Sequence, residues 1–205
     1  HPRTRPVIGG PAALDTLRAD IARLGIDPDP ADWAATLPRL APFHAARRTV
    51  ILPRHSVGDR LVFIARGIAC SEQLDPDGGV TIARFFEPGQ FCANLTSALT
   101  GALAEDEVSA VTEVEGIAIP FDLFVEEYLH GRTIGLYFRH KVVETLHADK
   151  QLLCAKTATS TEARYRALET LYAEVTDRVP DHLVARAIGI TPQGLSRFLR
   201  QSGRR

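Results

Sequence analysis

The sequence predicts an α+β fold: an antiparallel β-roll with flanking helices, then a long helix, then a C-terminal helix-turn-helix. Three observations predict it. Between Thr49 and Asp122 the chain is written in short β-branched and aromatic runs separated by turn residues, with no long helix between them. From about Thr133 to Ala155 apolar residues recur at helical spacing. From Val179 to Gln201, VPDHLVARAIGITPQGLSRFLRQ, two short helical patterns flank Gly189. The implied division is residues 1–48 for N-terminal helices, 49–126 for the roll, 127–157 for a dimerisation helix and 158–205 for the helix-turn-helix.

Residues 1–10 are punctuated by Pro and Gly and are expected to be loose. Leu14, Leu17, Ile21 and Leu24 then mark one face of a helix over Pro11 to Leu24. Asp27-Pro28-Asp29-Pro30 stops it and caps a second, carrying Trp33 and Leu37, which Pro38 and Pro42 shorten or kink. Both are expected to pack as lids on the next part of the chain.

TVIL, LVFIARGIACSEQL, GVTIARFF and VSAVTEVEGIAI are the strands, with turns at Ser56–Asp59, Asp75–Gly79 and Glu87–Gly89. Asn94 to Asp106, rich in Ala, Leu and Thr, suits a short helix and loop between strands. Phe121 to His130 is a short amphipathic helix ended by Gly131. In the long helix behind it, Ile134, Phe138, Val142, Leu146 and Leu153 form a stripe close to a heptad seam, which favours self-association. The plainer alternative is that the stripe packs on the roll. Thr159 and Glu162 form a T-x-x-E capping box for a helix with Leu168, Leu171, Tyr172 and Val175 that ends near Asp177.

In the last segment Pro180 suits a helix start, and Leu183, Val184 and Ala187 share a face. Gly189 can adopt the left-handed turn conformation, and Thr191-Pro192 caps and opens a new helix. There Leu195, Phe198 and Leu199 are the apolar stripe. Gln193, Ser196, Arg197 and Arg200 form the opposite face, a set that hydrogen-bonds base edges and phosphates and holds no carboxylate. Arg178 to Arg205 contains six Arg, one Asp and no Lys or Glu, a formal +5 in a chain whose net charge is −1. Positive charge is thus gathered where phosphate would be met. A basic surface hairpin devoted to packing is the bland alternative.

Composition, at 45% hydrophobic and 24% charged residues, is that of a globular domain or two, and no apolar run approaches a membrane span. Cys70, Cys92 and Cys154 are scattered, with no CxxC or Cys/His cluster, so neither a metal nor another cofactor is expected and a reducing cytoplasm fits. The chain begins at His1 and holds no Met, so its true N-terminus is expected to be trimmed.

This order of parts resembles the Crp/Fnr superfamily of transcription regulators, from about Thr49 to Arg200. The residues that carry it are HSVGD, LVFIARGIA and FFEPGQF in the roll, the long helix behind, and RVPDHLVARAIGITPQGLSRFLR. The resemblance implies a cyclic-nucleotide-binding-like roll and a homodimer joined through the long helix. It also implies a winged helix-turn-helix on each subunit, an inverted-repeat site in double-stranded DNA, and RNA polymerase as a candidate partner. A wing would need strands after the second helix, and four residues follow Gln201, so a truncated wing and a complete one both stay open.

The departures from that family bear on the ligand. Cyclic-AMP-binding members have Gly-Glu-Leu after the glycine turn, and an Arg before Ser-Ala. Here the corresponding residues are Ala93-Asn94-Leu95, and Val108 precedes Ser109-Ala110. A buried cyclic phosphate needs a charge-assisted donor, whereas the intervening loop offers Glu105, Asp106 and Glu107. Each close like-charge pair would repel by ~1 kcal/mol or more. Cyclic AMP and cyclic GMP are therefore not expected as ligands, and any effector is an unidentified small molecule. The apolar Phe91, Leu95, Leu99 and Phe138 line a dry pocket at the roll–helix junction or are simply core.

Other sensing chemistries find little support. No Cys precedes Cys70, so the family's N-terminal iron–sulfur arrangement has no ligands, and His55 and Cys70 are ordinary turn and strand residues before they are haem ligands. His140, His147 and Cys154 are spaced by seven residues, about 10.5 Å along a helix, too far to share one ion.

Where the family often has a guanine-reading Arg, this chain has Pro192. Arg197 then becomes the candidate for a bidentate guanine contact, Gln193 for adenine and Ser196 for a generalist contact. Arg178, Thr191 and Arg200 are placed for phosphates. Two rival readings are a ligand-binding or interaction module that has lost DNA binding, and a cupin-like enzyme. The enzyme lacks any His-x-His, and no nucleophile–base pairing or phosphate-cradling Gly loop is present, so catalysis is not expected.

Overall fold

The computed structural model describes residues 10–75, 77–172 and 174–203. The looseness expected of the N-terminus therefore falls outside the described residues, except for Gly10, which opens helix α1, Gly10–Arg23. Ala13, Leu17 and Ile21 are buried on the inner face of α1. Helix α2, Pro30–Thr36, starts where Asp29 accepts a hydrogen bond from the Ala31 N–H at 2.8 Å and Pro30 needs no partner. A single 3-10 turn at Leu37–Arg39 comes next.

Pro42 does not kink a helix. It lies in strand β1, Ala41–Ala45, which the sequence pattern does not disclose, at a sheet edge where proline costs no ladder hydrogen bond. Among the described residues seven further strands follow: β2 Val50–Leu52, β3 Arg60–Arg66, β4 Ala69–Leu74, β5 Val80–Phe86, β6 Phe91–Cys92, β7 Glu107–Ala110 and β8 Val114–Pro120. Each of the two longest predicted strands is thus two. Gly67 divides the first at φ 95°, and a Cβ there would lie 2.1 Å from the Glu113 carbonyl oxygen.

The strands form two antiparallel sheets, ordered β1-β8-β3-β6 and β2-β7-β4-β5. Val62, Ile64, Phe86, Val108 and Val114 fill the space between them. Behind the first sheet, Leu61, Phe63, Ile117 and Ile119 pack with α1, and a short helix, α3 (Leu95–Thr100), is inserted between β6 and β7 and closed by left-handed Gly101. The same apolar cluster takes in α4 (Phe121–His130) and the start of α5 (Thr133–Lys156).

Four helices follow among the described residues: α6 Thr161–Leu171, α7 Val175–Arg178, α8 Asp181–Ile188 and α9 Pro192–Gln201. The cap of α6 is Ser160, not Thr159. Its extended backbone lets the hydroxyl accept from the Ala163 N–H at 3.1 Å, and Glu162 pairs with Arg166 instead of closing a box. The helix also stops earlier than its apolar spacing suggested, because Tyr172 turns edge-on to Phe85 of the roll, centroids 5.6 Å apart. Ile68 before β4, with Cys70, Ile82 and Phe85 on the outer face of the second sheet, shares one core with Tyr172, Val184, Ile188, Leu195 and Leu199. The C-terminal helices are seated on the roll.

The stripe on α5 divides along its length. Ile134 and Phe138 are buried against the roll and Val142 is half-buried. Leu146 and Leu153 are each 64% exposed, with exposed Val143 beside them. Among the described residues no helix is long and apolar enough to cross a membrane.

Candidate nucleic-acid interface and effector cavity

Helices α8 and α9 meet at a turn that local chemistry dictates. Gly189, at φ 70°, follows α8; the Ile190 N–H reaches the Ala185 carbonyl at 3.0 Å and the Gly189 N–H reaches that of Arg186 at 3.4 Å, the Schellman pattern. Arg164 of α6, which no sequence motif singles out, holds this turn from below. Its Nη1 donates to the carbonyls of Ile188 at 3.2 Å and Gly189 at 3.4 Å, and its Nε to that of Ala158 at 2.7 Å. No sequence spacing signals such a contact, since it joins α6 to the end of α8. Thr191 then caps α9 by accepting from the Gly194 N–H at 3.1 Å.

Leu195 and Leu199 face the core, and Phe198 rests on Tyr165 with centroids 5.4 Å apart. Gln193, Ser196, Arg197 and Arg200 are all exposed on the other side of α9. Neither Arg197 nor Arg200 forms an ion pair among the described residues. Of the other two residues expected to meet DNA, Thr191 is exposed but its hydroxyl is engaged as the cap. Arg178 lies on α7 and is ion-paired to Glu174 one turn earlier. The structure therefore brings four of the six onto one free surface.

A cavity of about 700 Å³ opens between the roll, the α3 loop and α5. Of the residues named as candidates for an effector pocket, Phe91, Asn94, Leu95 and Phe138 line it; Leu99, Val108 and Ser109 do not. On α3 it is Ser97 that turns inward, its hydroxyl accepting from the Gly58 N–H at 2.9 Å, and this leaves Leu99 68% exposed. On β7 the strand alternation sends Val108 into the roll interior and Ser109 away from the cavity. Of the three acidic loop residues, Glu105 and Asp106 line the cavity, and Asp106 accepts from the Ser71 hydroxyl at 3.1 Å; Glu107 belongs to the β7 ladder opposite Glu72.

No sequence pattern discloses the cations of this cavity. Arg84, Lys141 and Lys156 all line it. Arg84 owes its place to a β-bulge: Ser71 faces Arg84 and the next residue, Glu72, faces Ile82, so Ala83 is the extra residue. The bulge allows Ile82 and Phe85, three apart, both to face the C-terminal helices, while Arg84 and Phe86 face the other way. Arg84 sits 4.8 Å from the centre of the Phe86 ring and pairs through Nη1 with Asp149 of α5 at 2.9 Å. Lys141 lies between Asp20 at 3.2 Å and Glu144 at 2.6 Å. Lys156 donates to the carbonyls of Ile82 at 2.8 Å and Ala83 at 3.4 Å, and burial lowers its pKa.

Burial, helped by nearby Glu72, pushes the Cys70 thiol up to about 12, which removes thiolate character from it. His55 lies in a turn at φ 58°, and His140, His147 and Cys154 are exposed along α5. Among the described residues no three His, Cys, Asp or Glu side chains are grouped to hold a metal.

No protein-family model matches the sequence, and it matches no curated protein. Solved structures do resemble it. A regulator of the Crp/Fnr family from Eubacterium rectale superposes with a TM-score of 0.65 at 14% identity, over 85% of this chain and 83% of that one. A CRP-family transcriptional regulator from Thermus thermophilus gives 0.63 at 19% identity, over 78% and 85%. A cyclic-nucleotide-binding protein from Ruegeria pomeroyi gives 0.59 at 19% identity, over 93% and 86%. The fold of this chain is that of the Crp/Fnr regulators, a cyclic-nucleotide-binding-like roll carrying C-terminal helices.

Proposed function

We propose that the chain is a sequence-specific DNA-binding transcription regulator of the Crp/Fnr type that acts as a homodimer on an inverted repeat. The observation that carries this is the outer face of α9. Gln193, Ser196, Arg197 and Arg200 project together into solvent from a rigidly capped helix, and no carboxylate neutralises the two arginines among the described residues. A polyanion reaches such a face without breaking any internal pair, and base edges find both flexible and bidentate partners.

The dimer is supported by the exposed apolar residues of α5, Val143 and Leu146 one turn apart and Leu153 two turns further on. Burying each of these side chains against a second copy is worth about 1.5–3 kcal/mol. A two-fold dimer places two α9 helices on half-sites about one helical turn apart. Cyclic AMP is not the effector in this reading. Asn94 stands where nucleotide-binding members of that family have Glu, Val108 is inside the roll, and the guanidinium that does line the cavity, Arg84, is already paired with Asp149.

The test couples two measurements. Sedimentation should give a dimer that Leu146→Glu with Leu153→Glu turns into a monomer. Enrichment of a random duplex pool by the wild-type protein should then return an inverted repeat with half-sites about one turn apart. A wild-type monomer, or a pool with no enriched symmetry, would refute the proposal.

A further inference from the structure

Arg84 and Asp149 form an unequal pair. The arginine side chain is 11% exposed and the aspartate 50%. Arg84 Nε is buried and has no hydrogen-bond partner among the described residues. A guanidinium at that depth needs an anion against it, while Asp149 can return to water at little cost. Asp149 is therefore the exchangeable half. The other two cavity cations are committed elsewhere, Lys141 to Asp20 and Glu144, and Lys156 to two backbone carbonyls.

We propose that the cavity takes a small organic acid, one carboxylate on an apolar body, which replaces Asp149 as the counter-ion of Arg84. This rests on reading the roll as an effector-sensing domain, and it names the effector's chemistry. The pairing with Asp149 uses Nη1, so its departure frees the Nη end of the guanidinium, where a carboxylate can be held by two parallel hydrogen bonds. Leu61, Phe91, Phe124, Phe138 and Leu152 line the cavity for an apolar body. Its volume of about 700 Å³ admits an acid of ordinary metabolite size. A single charge is favoured over a doubly charged phosphate, because Glu105, Asp106 and Asp149 also line the wall.

The exchange would have a structural consequence. The Arg84–Asp149 pair ties β5 to α5, and the opposite face of β5 carries the core that holds α8. An acid in the cavity loosens the first contact beside the second.

The test is calorimetry on the purified protein with octanoate and cinnamate, their amides, and cyclic AMP, in the absence of DNA. The acids should bind saturably and the amides at least about tenfold more weakly, the worth of one charge-assisted hydrogen bond. D149N should bind the acids more tightly than wild type, and R84M should lose the preference for acid over amide. Equal binding of acids and amides, weaker acid binding by D149N, or no acid binding by either wild type or D149N would overturn the proposal. Because no DNA is present, failure here is separate from failure of the DNA-reading proposal.

Discussion

On α9, Arg197 and Arg200 stand in solvent with no carboxylate partner among the described residues, whereas Arg84 and Lys141 lie buried at the roll–helix junction with carboxylates against them. The same charge serves opposite ends in the two places. An exposed, uncompensated cation keeps its field for an external polyanion and loses little hydration until it binds. A buried cation must be neutralised within the fold, so it either fixes structure, as Lys141 does between α1 and α5, or waits for an exchange of partner, as we infer for Arg84. Sensitivity to mutation should therefore run in opposite directions: folding for the buried set, binding for the exposed one.

The largest expected effect lies beneath α9, where the exposed face depends on a buried one. Leu195 is 0% exposed in the core shared by the C-terminal helices and the second sheet. Leu195→Ala should cost about 2–5 kcal/mol in denaturant unfolding. Because that core is shared, the loss should appear in a single transition; an independent early transition of the C-terminal helices would show that they are only loosely seated.

Lys141→Met sharpens the contrast from the buried side. Asp20 would keep Arg23 and the Tyr137 hydroxyl, at 2.8 Å, as partners, so the expected cost is about 1–3 kcal/mol and not that of a stranded charge. Unchanged stability would mean that the pair merely decorates the junction.

A smaller, pH-dependent effect belongs to Glu144. Burial opposes its ionisation, but Lys141 and Arg23 outweigh that and hold its carboxyl below the usual glutamate range. A depressed folded pKa means stability that is present above the ordinary value, about 4.3, and lost as pH falls through the folded one. In acid titrations Glu144→Gln should therefore flatten the loss of stability below about pH 4. An acid limb identical to that of wild type would assign the loss to other carboxylates.

These regions also differ in how far the sequence discloses them. The turn, cap and polar face of α9 lie within some twenty consecutive residues, and Gly189, Thr191 and Pro192 each have one dominant conformational use. The cavity draws on β4, β5, the α3 loop, α4 and α5, so its apolar wall was legible only in part, through Phe91, Leu95 and Phe138. Arg84 was hidden because strict alternation along GVTIARFF cannot place Ile82 and Phe85 on one face; the bulge at Ala83 does. Strand β1 was hidden by Pro42, whose edge position in the sheet comes from the pairing with β8 and from nothing local. The stripe on α5 was visible, but only packing shows that its first turns serve the roll and its later ones stand free.

Whether α9 reads DNA is decided by fluorescence anisotropy on duplex DNA from upstream of the gene, at two or more salt concentrations, comparing wild type with Arg197→Ala and Arg200→Ala. Wild type should bind with an affinity that falls steeply as salt rises. Arg200→Ala should flatten that slope by about one unit, the share of one phosphate contact. Arg197→Ala should cost about 1–3 kcal/mol on the preferred site and little on scrambled DNA. Binding by wild type that ignores salt, or that both variants leave untouched, would contradict the assignment of α9 as the DNA-reading helix.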